Sequence, residues 1–375
     1  MNILTYVHLR SIHNSTGAGR VARQMVEHLH QNVDARLCIL ADHRDYKKII
    51  SKMDEPWSSF SYSFFKHDTS FQQKYWALTH NPSAEQFWPD THIVYCTTES
   101  YVPVKKARLV VTLHDAAYFE DNAHVKNRSF LAQRLKWKYL YWILSRKADL
   151  FHTVSNFSAE RLAHFFPQIS SRLRVIPNAV PPRFFLPCSD EGNNFVESLG
   201  LIDQPFILLP TGLHYRKNAD LILQAWAILS KRMPDLKLVV TSYCDPSYVK
   251  KAQGIGDSIM MTGFVSDEAL CSLYHAAQLV WFPSIYEGFG IPVLEAMACG
   301  TPVIASNSSS LPEIAGNAAV LVSNNSIDDY IESIVTLLNN AQLREDLSQR
   351  GKERASKFTW QQSATELYQH FLSIL

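Results

Sequence analysis

Short apolar runs alternate with longer segments of helical period along almost the whole chain. In the first half the apolar runs fall at 3–7, 36–40, 93–96, 109–113, 150–154 and 174–176. Helical patterns lie at 19–30, 127–147 and 158–166. Runs that are apolar throughout, rather than at every second position, mark strands covered on both faces. From about 181 to 204 the period lapses, in a stretch with closely spaced prolines and the polar run "CSDEGNN". That composition predicts a linker. A second series then predicts strands at 206–209, 236–241, 258–261, 279–282, 303–305 and 319–322. Its helices are expected at 217–232, 267–275, 292–299, 327–339 and 341–357, and a last helix at 360–375 follows the final strand.

Strands separated by helices imply right-handed crossovers and parallel sheets with helices on both faces. Two such series predict an α/β protein of two doubly wound, Rossmann-like domains facing each other across a cleft. The expected divisions are residues 1–185, a linker at 186–204 and a second domain at 205–357, with 358–375 packing back on the first. In sheets of this type ligands bind beyond the carboxyl ends of the strands. No internal repeat or low-complexity segment interrupts the pattern.

Composition narrows the picture. With 375 residues, 46% hydrophobic and 19% charged, the chain can bury a substantial core. A formal net charge of +1 singles out no polyanionic partner, and with no recognition module in view no nucleic-acid partner is expected. The six cysteines are scattered, without a C-x-x-C pair or a histidine at zinc spacing, so neither a disulfide frame nor a metal is expected. The N-terminus lacks the charged and long apolar regions of a signal peptide, and no apolar run approaches the length of a membrane span. The expected location is the cytoplasm.

The densest chemistry lies in "SIYEGFGIPVLEAMACGTPVIAS", residues 284–306. An apolar strand precedes it, and Pro292 suits the first position of a helix. A glycine-bearing loop before a helix N-terminus offers unpaired N–H groups and the positive end of a dipole, which suits a diphosphate. Glu295, expected in the first turn, could hold a ribose diol. Glu287, in the loop, could reach a sugar hydroxyl or a reacting centre. Residue by residue, a solvated Glu beside turn glycines would explain the same letters.

The whole string strongly resembles the E-x-G-F-G-x-x-x-x-E segment of the retaining glycosyltransferases of family 4, which have the GT-B fold. The resemblance runs through "TVSNFSAERL" (153–162), "RVIPNAV" (174–180), "ILLPTGLHYRKNADLILQAW" (207–226), "MTGFVSDEAL" (261–270) and "SLPEIAGNAAVLV" (310–322). It implies a donor site for a nucleotide diphosphate sugar. Gly212, Phe264, Val265, Gly288, Phe289, Gly290, Ile291 and Glu295 fall at its donor-binding positions, with backbone atoms at Phe264 and Val265 meeting the base. Arg216 and Lys217 would neutralise the leaving diphosphate, where charge develops in the transition state. The helix dipole does not favour cations at a helix start, so a bound anion explains this pair better than a solvated face does. Where many members carry a further basic residue, this chain has Leu213. In "TLHD" (112–115), His114 matches a histidine that contacts the donor hexose, and Asp115 would lie on the acceptor side. "HNSTGAGR" (13–20) resembles the N-terminal glycine loop, in which Gly17 and Gly19 would let the backbone approach the donor.

The implied reaction is transfer of a hexose, mannose or glucose, to a hydroxyl of a glycan or lipid-linked acceptor in polysaccharide biosynthesis. No D-x-D triplet is present to bridge a metal to the diphosphate, so metal-independent catalysis without a cofactor is expected. Glu287, His114, Arg216 and Lys217 are the expected catalytic group. Three other readings stay open: an epimerase or phosphorylase of the same fold, a non-catalytic sugar-nucleotide binder, and a dinucleotide oxidoreductase. The last rests on Gly17-x-Gly19 with Ala22 in the third glycine's place and Asp42 near the second strand's end. Residues 126–147 carry seven basic and no acidic side chains with interleaved aromatics. A peripheral membrane contact and a core helix with basic edges fit them equally. Residues 44–92 carry no assignment.

Overall fold

The computed structural model describes residues 1–14, 17–121, 123, 128–323 and 325–375, at 128 and 129 the backbone alone. The chain divides into two units: Met1–Phe119 with Asn127–Asn178 and Thr359–Leu375, and Glu120–Lys126 with Ala179–Phe358.

The first unit is built on seven strands: β1 (Asn2–Tyr6), β2 (Arg36–Asp42), β3 (Ser61–Phe65), β4 (Ile93–Cys96), β5 (Arg108–Thr112), β6 (Leu150–Thr153) and β7 (Leu173–Val175). They lie in the order β3-β2-β1-β4-β5-β6-β7, and every pairing is parallel. Leu4, Val94, Leu109, Val111 and Phe151 from the strands pack with Tyr141, Leu144 and Leu162 from the helices in one cluster. Burying each such side chain stabilises the fold by about 1.5–3 kcal/mol, as an upper estimate. A polar chain runs through the same sheet. The Tyr95 hydroxyl lies 3.0 Å from Thr112 Oγ1, which lies 3.2 Å from His152 Nδ1. His152 Nε2–H donates to the Ile176 carbonyl at 3.0 Å, so the Thr112 hydroxyl donates to Nδ1. The last helix, Trp360–Leu372, belongs to this unit. Its Tyr368 hydroxyl donates to the Asp34 carbonyl, and Phe371 packs on Tyr95.

The second unit has six strands: β8 (Phe206–Leu209), β9 (Lys237–Thr241), β10 (Ile259–Gly263), β11 (Leu279–Phe282), β12 (Val303–Ser306) and β13 (Val320–Val322). Their order is β10-β9-β8-β11-β12-β13, again all parallel. Each sheet therefore reverses its strand order once, between β1 and β4 and between β8 and β11, and crevices for ligands open at such points.

The α/β class and the parallel sheets agree with the sequence pattern, and the differences have local causes. β3 and the helices His43–Ile49, Thr69–Thr79 and Ala84–Phe87 occupy the unassigned stretch. β3 is an edge strand with only Phe65 buried, so it shows no apolar run. The helix Thr69–Thr79 buries only Gln72 and Trp76 and thus lacks an apolar stripe. The expected linker holds a helix, Asp190–Ser198, whose N-cap Ser189 accepts from the Gly192 N–H. It buries only Gly192 and Val196. A Cβ on Gly192 would stand 2.5 Å from the Glu268 carbonyl oxygen, so the segment is packed against the helix Asp267–Ala276 and is no free linker.

Candidate active site

In the second unit two loops leave the neighbouring strands β8 and β11 at the reversal point. After β8 the backbone turns at Gly212, with φ of 72°, and a Cβ there would lie 1.8 Å from the Tyr243 carbonyl oxygen. Only glycine permits that approach. A single 3₁₀ turn, Tyr215–Lys217, follows and ends at Asn218 in the left-handed region, before the helix Ala219–Arg232. Lys217 thus lies ahead of the helix rather than at its start.

The Lys217 ammonium forms an ion pair with the Glu287 carboxylate, and both residues are over nine-tenths buried. The ammonium also stands 5.0 Å over the Phe282 ring. Burial pushes the Glu287 carboxyl toward the neutral form, but Lys217 and Arg216 outweigh it and hold its pKa below the usual carboxylate value. Next to them His214 is held neutral, its pKa lowered to about 4 by burial and then by Lys217 and Arg216. The Arg216 carbonyl accepts from the Ile285 N–H at 2.9 Å, which locks the two loops together.

The Glu287 loop is itself pinned. Its N–H donates to Ser309 Oγ at 3.0 Å, and Ser310 Oγ–H reaches the carbonyls of Glu287 (3.0 Å) and Phe289 (2.8 Å). Gly290 caps the helix Ile291–Ala298 with φ of 109°, where a Cβ would strike the Leu311 side chain at 2.6 Å. Gly288 and Ile291 are half-buried, while Phe289 is buried and packs edge-on against Phe358. Two expectations change here. Glu295 belongs to the second turn of that helix, not the first, because Ile291 already opens it. Its side chain is fully buried and accepts from the Tyr274 hydroxyl at 3.1 Å. Beyond β10, Phe264 is 79% exposed and Val265 half-buried.

In the first unit, His114 and Asp115 follow β5. The His114 N–H donates to Glu99 Oε1 at 2.6 Å, and its ring Nε2 is buried with no protein partner among the described residues. A buried imidazole nitrogen left over in this way is suited to a ligand hydroxyl. Asp115 Oδ1 accepts from the Ala117 N–H at 2.8 Å, so one of its oxygens closes a turn. Gly17 opens the helix Gly17–Asn32, with open space where its Cβ would be. Gly19 lies inside that helix, and a Cβ there would stand 1.9 Å from the Ser11 carbonyl oxygen, so the glycine is required by the crossing with the helix Leu9–His13. Ser15 and Thr16 of the expected glycine loop lie outside the described residues.

Glu99 was not anticipated. Burial raises its pKa, with His114 opposing. Its only signal in the sequence is its place just past an apolar strand, in "TTES". It borders a cavity of about 710 Å³ at the carboxyl ends of β1, β2 and β4, shared with His8, Asp42, Gln73, Lys74 and Trp137. The formerly unassigned stretch thus supplies part of its wall. The helix Arg128–Lys147 buries Tyr141, Ile143 and Leu144 and leaves Leu131, Leu135, Tyr139 and Trp142 exposed at helical spacing. Lys126 and Asn127 of the basic stretch lie outside the described residues. Among the described residues no helix is long and apolar enough to cross a membrane.

Residues 15–184 match the family described as Glycosyltransferase Family 4, and residues 193–354 that described as Glycosyl transferases group 1. The chain is 31% identical over 283 residues to O-antigen chain mannosyltransferase B of Escherichia coli, covering 73% of this chain and 72% of that protein. It is 31% identical to the MMP alpha-(1->4)-mannosyltransferase of Mycolicibacterium hassiacum over 57% of its own length and 51% of that protein's. The serotype-specific mannosyltransferase WbdA of Escherichia coli matches at 26% identity over 61% of this chain, which spans only 29% of that longer protein. Among solved structures, sucrose-phosphate synthase from Thermosynechococcus elongatus superposes with a TM-score of 0.75 at 19% identity, over 100% of this chain and 99% of that one. Anabaena HepE in complex with UDP and glucose gives 0.74 at 18% identity, over 100% of both chains. At such identities the likeness shows the fold.

Proposed function

This chain belongs to family 4 of the glycosyltransferases, and from that premise we propose a retaining hexosyltransferase that carries mannose or glucose from a nucleotide diphosphate sugar to a glycan or lipid-linked acceptor. The observation that carries the reading is the buried Lys217–Glu287 pair, with Arg216 beside it, at the strand-order reversal of the second sheet. Two cations next to a helix N-terminus form a site for a diphosphate that gains charge as it departs. Arg216, Lys217 and the N–H groups around Gly288, Phe289 and Gly290 are assigned to that group. Backbone atoms at Gly212, Phe264, Val265 and Ile291 complete the donor site. Glu287 is assigned to a hexose hydroxyl. Glu295, oriented by Tyr274, would hold the ribose once the donor displaces the side chains that cover it.

In the first unit His114 Nε2 is assigned to a hexose hydroxyl, with Glu99 fixing the His114 backbone. Asp115 and the cavity beside Glu99 are assigned to the acceptor. In the reaction the bond from the anomeric carbon to the diphosphate oxygen breaks. The bond to the acceptor oxygen forms on the same face, and the acceptor proton passes to the departing diphosphate. The cationic side chains take the part a metal plays elsewhere, so transfer proceeds without added magnesium or manganese. The choice of mannose rests on the relatives named as mannosyltransferases, and glucose on the HepE complex.

A thermal-shift panel of GDP, UDP, ADP, their hexose conjugates and NAD tests the donor site. One nucleotide family is expected to stabilise the chain by about 3–4 kcal/mol at 100 to 1,000 times its dissociation constant. A response to NAD alone, or to nothing, sinks the reading. With the donor known, NMR of the product reports the anomeric configuration, and inversion overturns the proposed stereochemistry. Consumption of donor without acceptor would point to an epimerase.

A further inference from the structure

The second unit carries a cluster of soft ligands that the transfer reaction does not use. Cys271 and His275 lie one turn apart on the helix Asp267–Ala276, with Cys271 Sγ 3.7 Å from His275 Nδ1. Cys188 arrives from the segment before the helix Asp190–Ser198, which Gly192 lets pack closely on Asp267–Ala276. One ligand atom from each of Cys188, Cys271 and His275 lies within 4.8 Å of the others. Cys299, at the C-cap of the helix Ile291–Ala298, lies outside that group, and its thiol donates to the Phe184 carbonyl at 3.4 Å. All of these cysteines are free thiols.

We propose that Cys188, Cys271 and His275 form a zinc site. A tetrahedral zinc with bonds of about 2.3 Å to sulfur and about 2.0–2.1 Å to nitrogen puts its ligand atoms about 3.6–3.8 Å apart, the separation found between Cys271 and His275. Two thiolates and an imidazole are a soft set that selects zinc over magnesium or calcium. The location favours a cation as well. His275 lies in the last turn of its helix, whose dipole presents its negative end there. Binding displaces the thiol protons and gives up the weak S–H contact of Cys271 to the Arg183 carbonyl at 3.7 Å. His275 Nδ1 also lies 3.0 Å from the Cys271 carbonyl oxygen, a bond that fixes the ring if Nε2 takes the metal and is released if Nδ1 does.

Three protein ligands leave the fourth position to water, and none of them is assigned to the transfer reaction, so the role proposed for the ion is to hold the fold. The ion would tie the segment before the helix Asp190–Ser198 to the helix Asp267–Ala276. The sequence conceals the set because its members are spread from 188 to 275 without a C-x-x-C pair. The spacing of Cys271 and His275 is its single local hint.

The test is metal content of the full chain, purified without chelator and titrated with zinc under reducing conditions. About one zinc ion per chain is expected. Cys271→Ser and His275→Ala are each expected to reduce it to a small fraction, and Cys244→Ser, in the same unit, to leave it unchanged. Because Cys271→Ser could disturb the buried packing, cobalt titration of the unaltered chain provides an independent readout. It should give thiolate charge-transfer and tetrahedral ligand-field bands that zinc abolishes. Absence of zinc from the titrated chain, or retention in both ligand variants, overturns the proposal. So does a disulfide among Cys188, Cys271 and Cys299 in the purified chain, which would assign the cluster to thiol redox chemistry. None of these readouts depends on the transfer reaction.

Discussion

Lys217 and Glu287 show how much a single contact decides. Each is a surface-type residue, yet both are buried, and each makes the other tolerable. Glu287→Ala leaves an uncompensated ammonium in the interior and is expected to cost about 3–5 kcal/mol of stability in urea unfolding. Lys217→Met combined with Glu287→Leu should recover most of that loss, while kcat/KM stays at least about 100-fold down. A double variant no more stable than the single one would show that the pair does not hold the loop. Active double variant would remove both residues from the transfer chemistry. The sequence marked both residues through the family motif but could not pair them, since they stand 70 positions apart. Glu99 lay beyond that motif, and only its contact with His114 makes it a candidate.

At the scale of elements, local period predicted those with a wide buried face and missed those without one. β4, β8, β11 and the helix Ile327–Asn339 occupy the expected residues because their buried positions follow the period of a strand or helix. β3 and the helices Thr69–Thr79 and Asp190–Ser198 were missed because each buries only one or two residues. The helix Arg128–Lys147 is the opposite case. Its apolar residues outnumber those the core takes, and Leu131, Leu135, Tyr139 and Trp142 form an exposed stripe near Lys138 and Arg146. We propose that this stripe rests on an anionic bilayer carrying the lipid-linked acceptor. Cosedimentation with vesicles containing anionic lipid should fall about tenfold or more for Leu135→Asp with Trp142→Asp, without a change in donor-induced thermal shift. Equal binding by the variant would restrict the stripe to a solvent-exposed role.

For the whole molecule, the buried histidines set the response to acid. His152 is fully buried and His214 half-buried, and burial lowers each pKa to about 4. Unfolded histidines titrate near 6.5, so between about pH 4 and 6.5 the unfolded chain binds more protons than the native one. Their contribution to stability is fully present above about 6.5 and is lost as pH falls toward 4. For His152 the loss approaches about 3 kcal/mol. Melting temperatures measured from pH 7 to 4 should therefore fall, and His152→Asn should flatten the slope. An unchanged slope would show that His152 protonates without cost. The sequence by itself determined the alternation of strands and helices, the parallel α/β class and the family motif, because these are written in local period and contiguous residues. Only the tertiary structure decided that Glu295 is covered, that Gly19 serves a helix crossing and that two cysteines and a histidine converge. Those outcomes depend on which distant segments pack together, and packing is fixed by the burial of the whole core and not by any one segment's letters.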